Sequence, residues 1–196
     1  MNFLAHIYLS GNNDQLKIGN FIADMIKGNK YKIYPIEIQK GIKLHRHIDS
    51  FTDTHDIVKK SKKRLHSRYK HYDGVIIDVL YDHFLAKNWS AYSNIPLKEY
   101  AQNFYSLLHT NYDILPDTIK NFLPFMVKDD WLYSYSTFKG IENVLIGLNK
   151  RTQHKSQMHL AIEDLHLYYT ELENDFTAFF TVLRSSCKEK IKTLDI

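Results

Sequence analysis

The run Asp73-Gly-Val-Ile-Ile-Asp-Val-Leu-Tyr-Asp-His-Phe-Leu85 decides the fold class. Its apolar side chains fall on nearly every side of a helical wheel, so a helix built from it has no face to give to water and belongs at the centre of a bundle. Periodicity alone also allows a strand, but the run is longer than the roughly 5–6 residues usual for one. Pro and Gly are scarce, at 4 and 7 residues, while 14 Tyr and 11 Phe provide large side chains for helix packing. The expectation is an all-α protein, a single compact helical bundle spanning residues 1–196.

The flanking sequence supplies the other helices. Asn12 or Asn13 can cap a helix running to about Lys27, where Gly28 can take the left-handed conformation that ends it. Pro35 can open a second long helix, which breaks near Thr54, and Asp56 to about Tyr69 forms a basic helix. Pro96 opens a helix ending near Thr110. Pro116 and Pro124 bracket a shorter piece from Asp117, and the segment around Trp131 reads as irregular. Ile141–Leu148 is a brief apolar helix, and Lys155 to about Lys192 one or two long terminal helices. No apolar run reaches the roughly 20 residues of a membrane span and no signal-peptide pattern opens the chain, so a cytoplasmic protein is expected. The lone Cys187 reads as a surface thiol without a chemical role.

Chemistry concentrates in Gly41-Ile-Lys-Leu-His-Arg-His-Ile-Asp-Ser-Phe-Thr-Asp53. In a helix, His45 and Asp49 share a face one turn apart and extend the stripe begun by Ile38 and Ile42, beside a core-facing seam of Leu44, Ile48 and Phe51. A carboxylate at such a boundary is costly to desolvate unless it is paired or bound to a metal. Asp78 and Asp82 repeat the i, i+4 spacing on the apolar helix, with His83 adjacent; Asn20 and Asp24 repeat it on the first long helix, and His6 lies in the apolar opening segment. Two or three histidines and several carboxylates from separate helices suit Mn²⁺, Mg²⁺ or Fe²⁺ better than structural zinc. No H-E-x-x-H, glycine-rich phosphate loop, nucleophile elbow or C-x-x-C is present, which leaves metal-assisted hydrolysis.

The net charge is only +4, but Lys59, Lys60, Lys62, Lys63, Arg64, Arg68 and Lys70 crowd together without an acid among them. Such a block favours an anionic partner through long-range attraction.

Taken together, Asn2-Phe3-Leu4-Ala5-His6, Gly19-Asn20-x-x-Ala23-Asp24, Gly28-Asn29, His45-Arg46-x-Ile48-Asp49-x-x-Thr52-Asp53 and Asp82-His83-Phe84-Leu85 with Trp89 resemble the acyl carrier protein phosphodiesterases. Weaker matches continue through Trp131-Leu132 and Arg151. That family is similar to the HD superfamily of helical phosphohydrolases, whose members bind metal through a His, a His-Asp doublet and a distant Asp. The resemblance implies an HD-like bundle and an Mn²⁺ enzyme that cleaves the phosphodiester between 4′-phosphopantetheine and a serine of holo-acyl carrier protein. It also implies a metal set of Asp24, His45, Asp49 and Asp82, with His6 and His83 as alternatives. The doublet on the apolar helix is reversed, as Asp82-His83, and the literal pair His55-Asp56 lies outside the family's motif.

In this reading Arg46 neutralises phosphoryl oxygens, His83 or His47 protonates the leaving alkoxide, and the Lys59–Lys70 block steers an acidic carrier. Two rival readings are an HD-like phosphohydrolase acting on a nucleotide or other small phosphoester, and a noncatalytic helical protein that binds nucleic acid through the basic helix with Tyr69 and Tyr72. The modest charge and the lack of a nucleic-acid motif count against the second. Nothing in the sequence assigns an oligomeric state.

Overall fold

In the computed structural model, which describes residues 1–194, the chain forms eleven α-helices joined by short 3₁₀ turns, with no strand among the described residues. The helices are α1 (Phe3–Leu9), α2 (Asp14–Ile22), α3 (Ile36–Thr54), α4 (Asp56–Tyr69), α5 (Asp73–Lys87), α6 (Leu97–Thr110), α7 (Asp117–Lys128), α8 (Trp131–Ser134), α9 (Phe138–Arg151), α10 (Ala161–Leu167) and α11 (Tyr169–Leu194). Helix α5 is the central helix expected from its sequence: Ile76, Ile77, Val79, Leu80, Tyr81, Phe84 and Leu85 are all buried. It packs against α1, α4, α9 and α11.

The most extensive helix contact is between α2 and α3, which also packs against α11. Two glycines make it possible. A Cβ on Gly41 would lie 2.3 Å from the Leu16 carbonyl oxygen, and one on Gly19 only 2.1 Å from the Ile38 carbonyl oxygen. The backbones therefore approach more closely than any larger residue allows.

Several expectations are corrected. Helix α2 ends at Ile22 and gives way to a 3₁₀ turn at Ala23–Met25, so the helical run stops short of Lys27. Gly28 does adopt a positive φ of 56°, but it opens the 3₁₀ segment Gly28–Ile33. Helix α7 runs through the exposed Pro124 to Lys128, because a proline on a solvated face leaves the freed carbonyl one turn earlier accessible to water. The segment at Trp131 contains the short helix α8. Cys187 is buried in the inner face of α11 beside the core, and burial pushes its thiol up to about 12. No helix among the described residues is long and apolar enough to cross a membrane.

Candidate metal centre

Helices α1, α2 and α3 converge on one polar cluster. Its hub is Asn20, a fully buried residue of α2. The Asn20 amide nitrogen donates to the His6 carbonyl at 2.8 Å and to Ser10 Oγ at 2.9 Å. This orients its Oδ1 to accept from His6 Nδ1 at 2.8 Å, while the Asn20 carbonyl accepts from His45 Nδ1 at 2.8 Å. One residue thus commits the Nδ1–H of both imidazoles and turns both Nε2 atoms the same way. The two rings stack with centroids 4.1 Å apart.

The Nε2 atoms face carboxylates. His45 Nε2 is 3.0 Å from Asp24 Oδ1 and 3.0 Å from Asp49 Oδ2; His6 Nε2 is 3.3 Å from Asp49 Oδ1 and 3.2 Å from the Met1 carbonyl oxygen. A neutral imidazole whose Nδ1 carries the proton would aim a lone pair at these oxygens, so positive charge is required between them. Ligand atoms of His6, His45 and Asp49 all lie within 4.8 Å of one another. Two imidazole nitrogens and a carboxylate, with the far side of each ring already tethered, form a donor set that fits a divalent cation. Beside them a cavity of about 20 Å³, lined in part by Phe3, Phe21, Asp24 and His45, has room for a single water molecule.

The electrostatics match this arrangement. Burial works against an imidazolium at His45, but Asp24 and Asp49 overcome it and push the pKa up to about 9. Burial prevails at His6 and lowers its pKa despite Asp49. The His45 hydrogen bond holds the Asp24 carboxyl below its ordinary value, and the two imidazoles hold Asp49 well below the usual carboxylate range against the effect of burial. The two carboxylates thus favour positive charge at His45.

Asp24, His45, Asp49 and His6 are thus brought together as the sequence suggested, while the other expected residues meet different partners. Asp82 is fully buried, but its carboxylate accepts from the backbone N–H groups of Asn2 at 3.2 Å, Leu4 at 2.7 Å and Ala5 at 3.3 Å. It binds the free N–H groups at the start of α1 instead of joining the donor set. Complete burial pushes this carboxyl up to about 7, against the pull of the Met1 ammonium and the N–H groups. The neighbouring Asp78 pairs with the Met1 ammonium at 2.7 Å.

None of the three expected catalytic side chains hydrogen-bonds to the cluster. Arg46 donates to the carbonyls of Ile26 and Gly28 at 3.3 and 2.8 Å, and its guanidinium lies over the Tyr31 ring. His47 is two residues from His45, on another face of α3, and its Nε2 meets Ser186 Oγ of α11 at 2.8 Å. His83 is buried between the Tyr135 carbonyl at 2.8 Å and the Tyr169 hydroxyl at 3.2 Å. The literal His-Asp pair is a helix junction: His55 Nδ1 accepts from the N–H of Ile57 at the start of α4.

The basic block is largely neutralised. Lys60 and Arg64 share Asp175, Arg68 meets Glu163 and Asp164, Lys62 meets Asp53, and Lys59 meets Asp56. Among the described residues Lys63 forms no ion pair. From the sequence, Asn20 carries no assigned role; its place among Ile18, Phe21 and Ile22, four residues before Asp24, is the signal that points to it.

A family model described as acyl carrier protein phosphodiesterase matches residues 1–183 of the chain. A protein of that name from Yersinia enterocolitica is 30% identical over 191 residues, covering 97% of this chain and 99% of its own. One from Enterobacter sp. is 31% identical over 194 residues with the same coverage, and one from Escherichia coli O157:H7 is 30% identical over 194 residues. No solved structure matches the chain significantly. On the extent of these matches, the chain belongs to the acyl carrier protein phosphodiesterase family.

Proposed function

We propose that the protein is a metal-dependent phosphodiesterase that hydrolyses the bond between 4′-phosphopantetheine and a serine of holo-acyl carrier protein, releasing apo-carrier protein and 4′-phosphopantetheine. The observation that carries the reading is the convergence of His6, His45 and Asp49, with Asp24 at its edge, in a chain of this family. The donors suit Mn²⁺, with Mg²⁺ and Fe²⁺ as alternatives. When bound, such an ion supplies Lewis acidity and charge neutralisation at the phosphoryl group.

The chain's own residues do the rest. Asn20 fixes both imidazoles, so that each Nε2 is presented without a search through ring orientations. Asp49 bridges the two imidazoles and, with His6 and His45, would hold the ion. The Asp24 side chain, 59% exposed and hydrogen-bonded to His45 at the solvent edge, would orient the attacking water. Phe3 and Phe21 restrict the inner cavity and limit bulk water behind the reacting group.

The test is intact-mass analysis of holo-carrier protein incubated with the enzyme and Mn²⁺, with a chelator control. Loss of the prosthetic arm is expected only with metal. Asp49→Asn and His45→Ala are expected to cut turnover by at least about 100-fold while preserving the helical circular dichroism signal. Cleavage that survives chelation, or full activity in both variants, would overturn the assignment. Turnover of free nucleotides with an intact carrier protein would favour the small-phosphoester reading.

A further inference from the structure

The 3₁₀ segment Gly28–Ile33 and the turn into α3 form a second basic surface, which the charge count along the sequence passes over. Lys27, Lys30 and Lys32 are exposed and form no ion pair among the described residues. Beside them project two uncovered apolar side chains, Ile33 at 83% exposure and Ile36 at 61%. Isolated apolar residues are common on surfaces, but two of this exposure flanked by unpaired lysines have the composition of a docking patch: an apolar anchor within a cationic rim.

The patch is held in place next to the candidate metal centre. Arg46, adjacent to His45 in α3, clasps the Ile26 and Gly28 carbonyls and covers Tyr31. Gln39 donates to the Lys32 and Tyr34 carbonyls at 3.3 and 2.8 Å. The segment starts four residues after Asp24, whose carboxylate reaches His45. Ile36 opens the helix that carries His45, nine residues or about 14 Å away along its axis, so a macromolecule resting on the patch would lie within reach of the cluster. On α4, by contrast, Lys59, Lys60, Lys62, Arg64 and Arg68 face the carboxylates of Asp53, Asp56, Glu163, Asp164 and Asp175, which leaves Lys63 without an ion pair among the described residues.

We propose that residues 27–36 are the docking surface for the protein that carries the phosphodiester, and that this partner presents an acidic face with an apolar contact at its centre. The inference rests on the phosphodiesterase reading above and assigns the carrier's recognition to this loop instead of α4. Like-charge substitution at an interface rim chiefly slows association and alters its salt dependence.

The experiment compares wild-type protein, the triple variant Lys27→Glu/Lys30→Glu/Lys32→Glu, the variant Ile33→Ser/Ile36→Ser, and Lys62→Glu/Lys63→Glu on α4. Binding of fluorescently labelled carrier protein is read by anisotropy at two ionic strengths, and carrier turnover by intact mass. Bis(4-nitrophenyl) phosphate with Mn²⁺ reports on the centre without docking. The triple variant is expected to lose about tenfold in carrier affinity at low salt and to show a weaker salt dependence. The serine variant should lose affinity at both salt concentrations. For both loop variants, the rate on the small diester should stay within about twofold of wild type, and the α4 variant should bind the carrier as wild type does.

Unchanged carrier affinity in both loop variants would overturn the proposal, as would an equal fall on both substrates. So would a loss confined to single-stranded RNA, tested as a competitor. Wild-type protein that binds the carrier through this loop but leaves its arm intact would instead refute the phosphodiesterase reading alone.

Discussion

Asp49 and Asp82 are both carboxylates set beside apolar helix faces, and they differ in what reaches them. Two imidazole nitrogens approach Asp49, one from its own helix and one from α1, whereas three backbone N–H groups at the start of α1 approach Asp82. The first arrangement is a donor set and the second a helix terminus. Asp49→Asn is therefore expected to abolish Mn²⁺ retention, measured as metal per chain after gel filtration, while Asp82→Asn leaves it near the wild-type level. Asp82→Ala strands buried N–H groups and is expected to cost about 3 kcal/mol, read as a Tm lowered by roughly 6–12 °C. Metal loss in Asp82→Asn as complete as in Asp49→Asn would return Asp82 to the ligand set. The sequence showed the spacing of each pair but not which groups would meet them, since Asp82 and Leu4 lie 78 residues apart.

At the scale of elements, the contact between α2 and α3 sets the geometry of the centre. A helix-interior glycine costs about 1 kcal/mol relative to alanine in propensity, so Gly19 and Gly41 each lower local helix stability. The close approach they permit brings the Asn20 carbonyl within 2.8 Å of His45 Nδ1. Gly41→Ala would place a methyl 2.3 Å from the Leu16 carbonyl oxygen and 2.8 Å from the Asn20 nitrogen, both backbone atoms that cannot move aside alone. The expected result is a loss of about 2 kcal/mol or more, despite the better helix propensity, together with weaker Mn²⁺ binding as Asn20 withdraws from His45. A Gly41→Ala protein with wild-type Tm and metal affinity would show that the helices have slack. The two helices were legible from their caps and apolar stripes, but the pairing of their glycines was not, because it depends on the crossing point.

At the scale of the whole molecule, Asp175 ties the basic helix α4 to the terminal helix α11. It receives Lys60, Ser61 and Arg64 at 3.1, 2.9 and 2.6 Å, and Ser61 also meets the buried Tyr81 hydroxyl of α5 at 2.9 Å. Burial alone would raise this carboxyl, but Lys60, Ser61 and Arg64 hold it below its ordinary value of 3.8. A carboxyl with a depressed folded-state pKa contributes stability at pH values above its unfolded value, and that contribution disappears as pH falls through the folded value. Asp175→Asn is expected to lower Tm by roughly 5 °C at neutral pH. The difference from wild type should shrink below about pH 4, where the wild-type carboxyl also takes up its proton. A difference that stays constant from pH 7 to pH 3 would show that Asp175 contributes packing and not charge.

By itself the sequence determined the all-helical class and the central place of α5, which follow from local periodicity and capping residues. The candidate donors Asp24, His45, Asp49 and Asp82, with His6 and His83 as alternatives, came from polar groups set beside apolar stripes together with the family resemblance. Only the tertiary structure decided which polar groups meet. Asn20 orients both imidazoles, Asp82 serves the start of α1, and Lys60, Arg64 and Arg68 of α4 are balanced by acids that arrive from α10 and α11, about 95–115 residues further along. The physical reason is that a charge's effect depends on what lies within a few ångströms of it, and for a long-range contact that is set by how the helices pack.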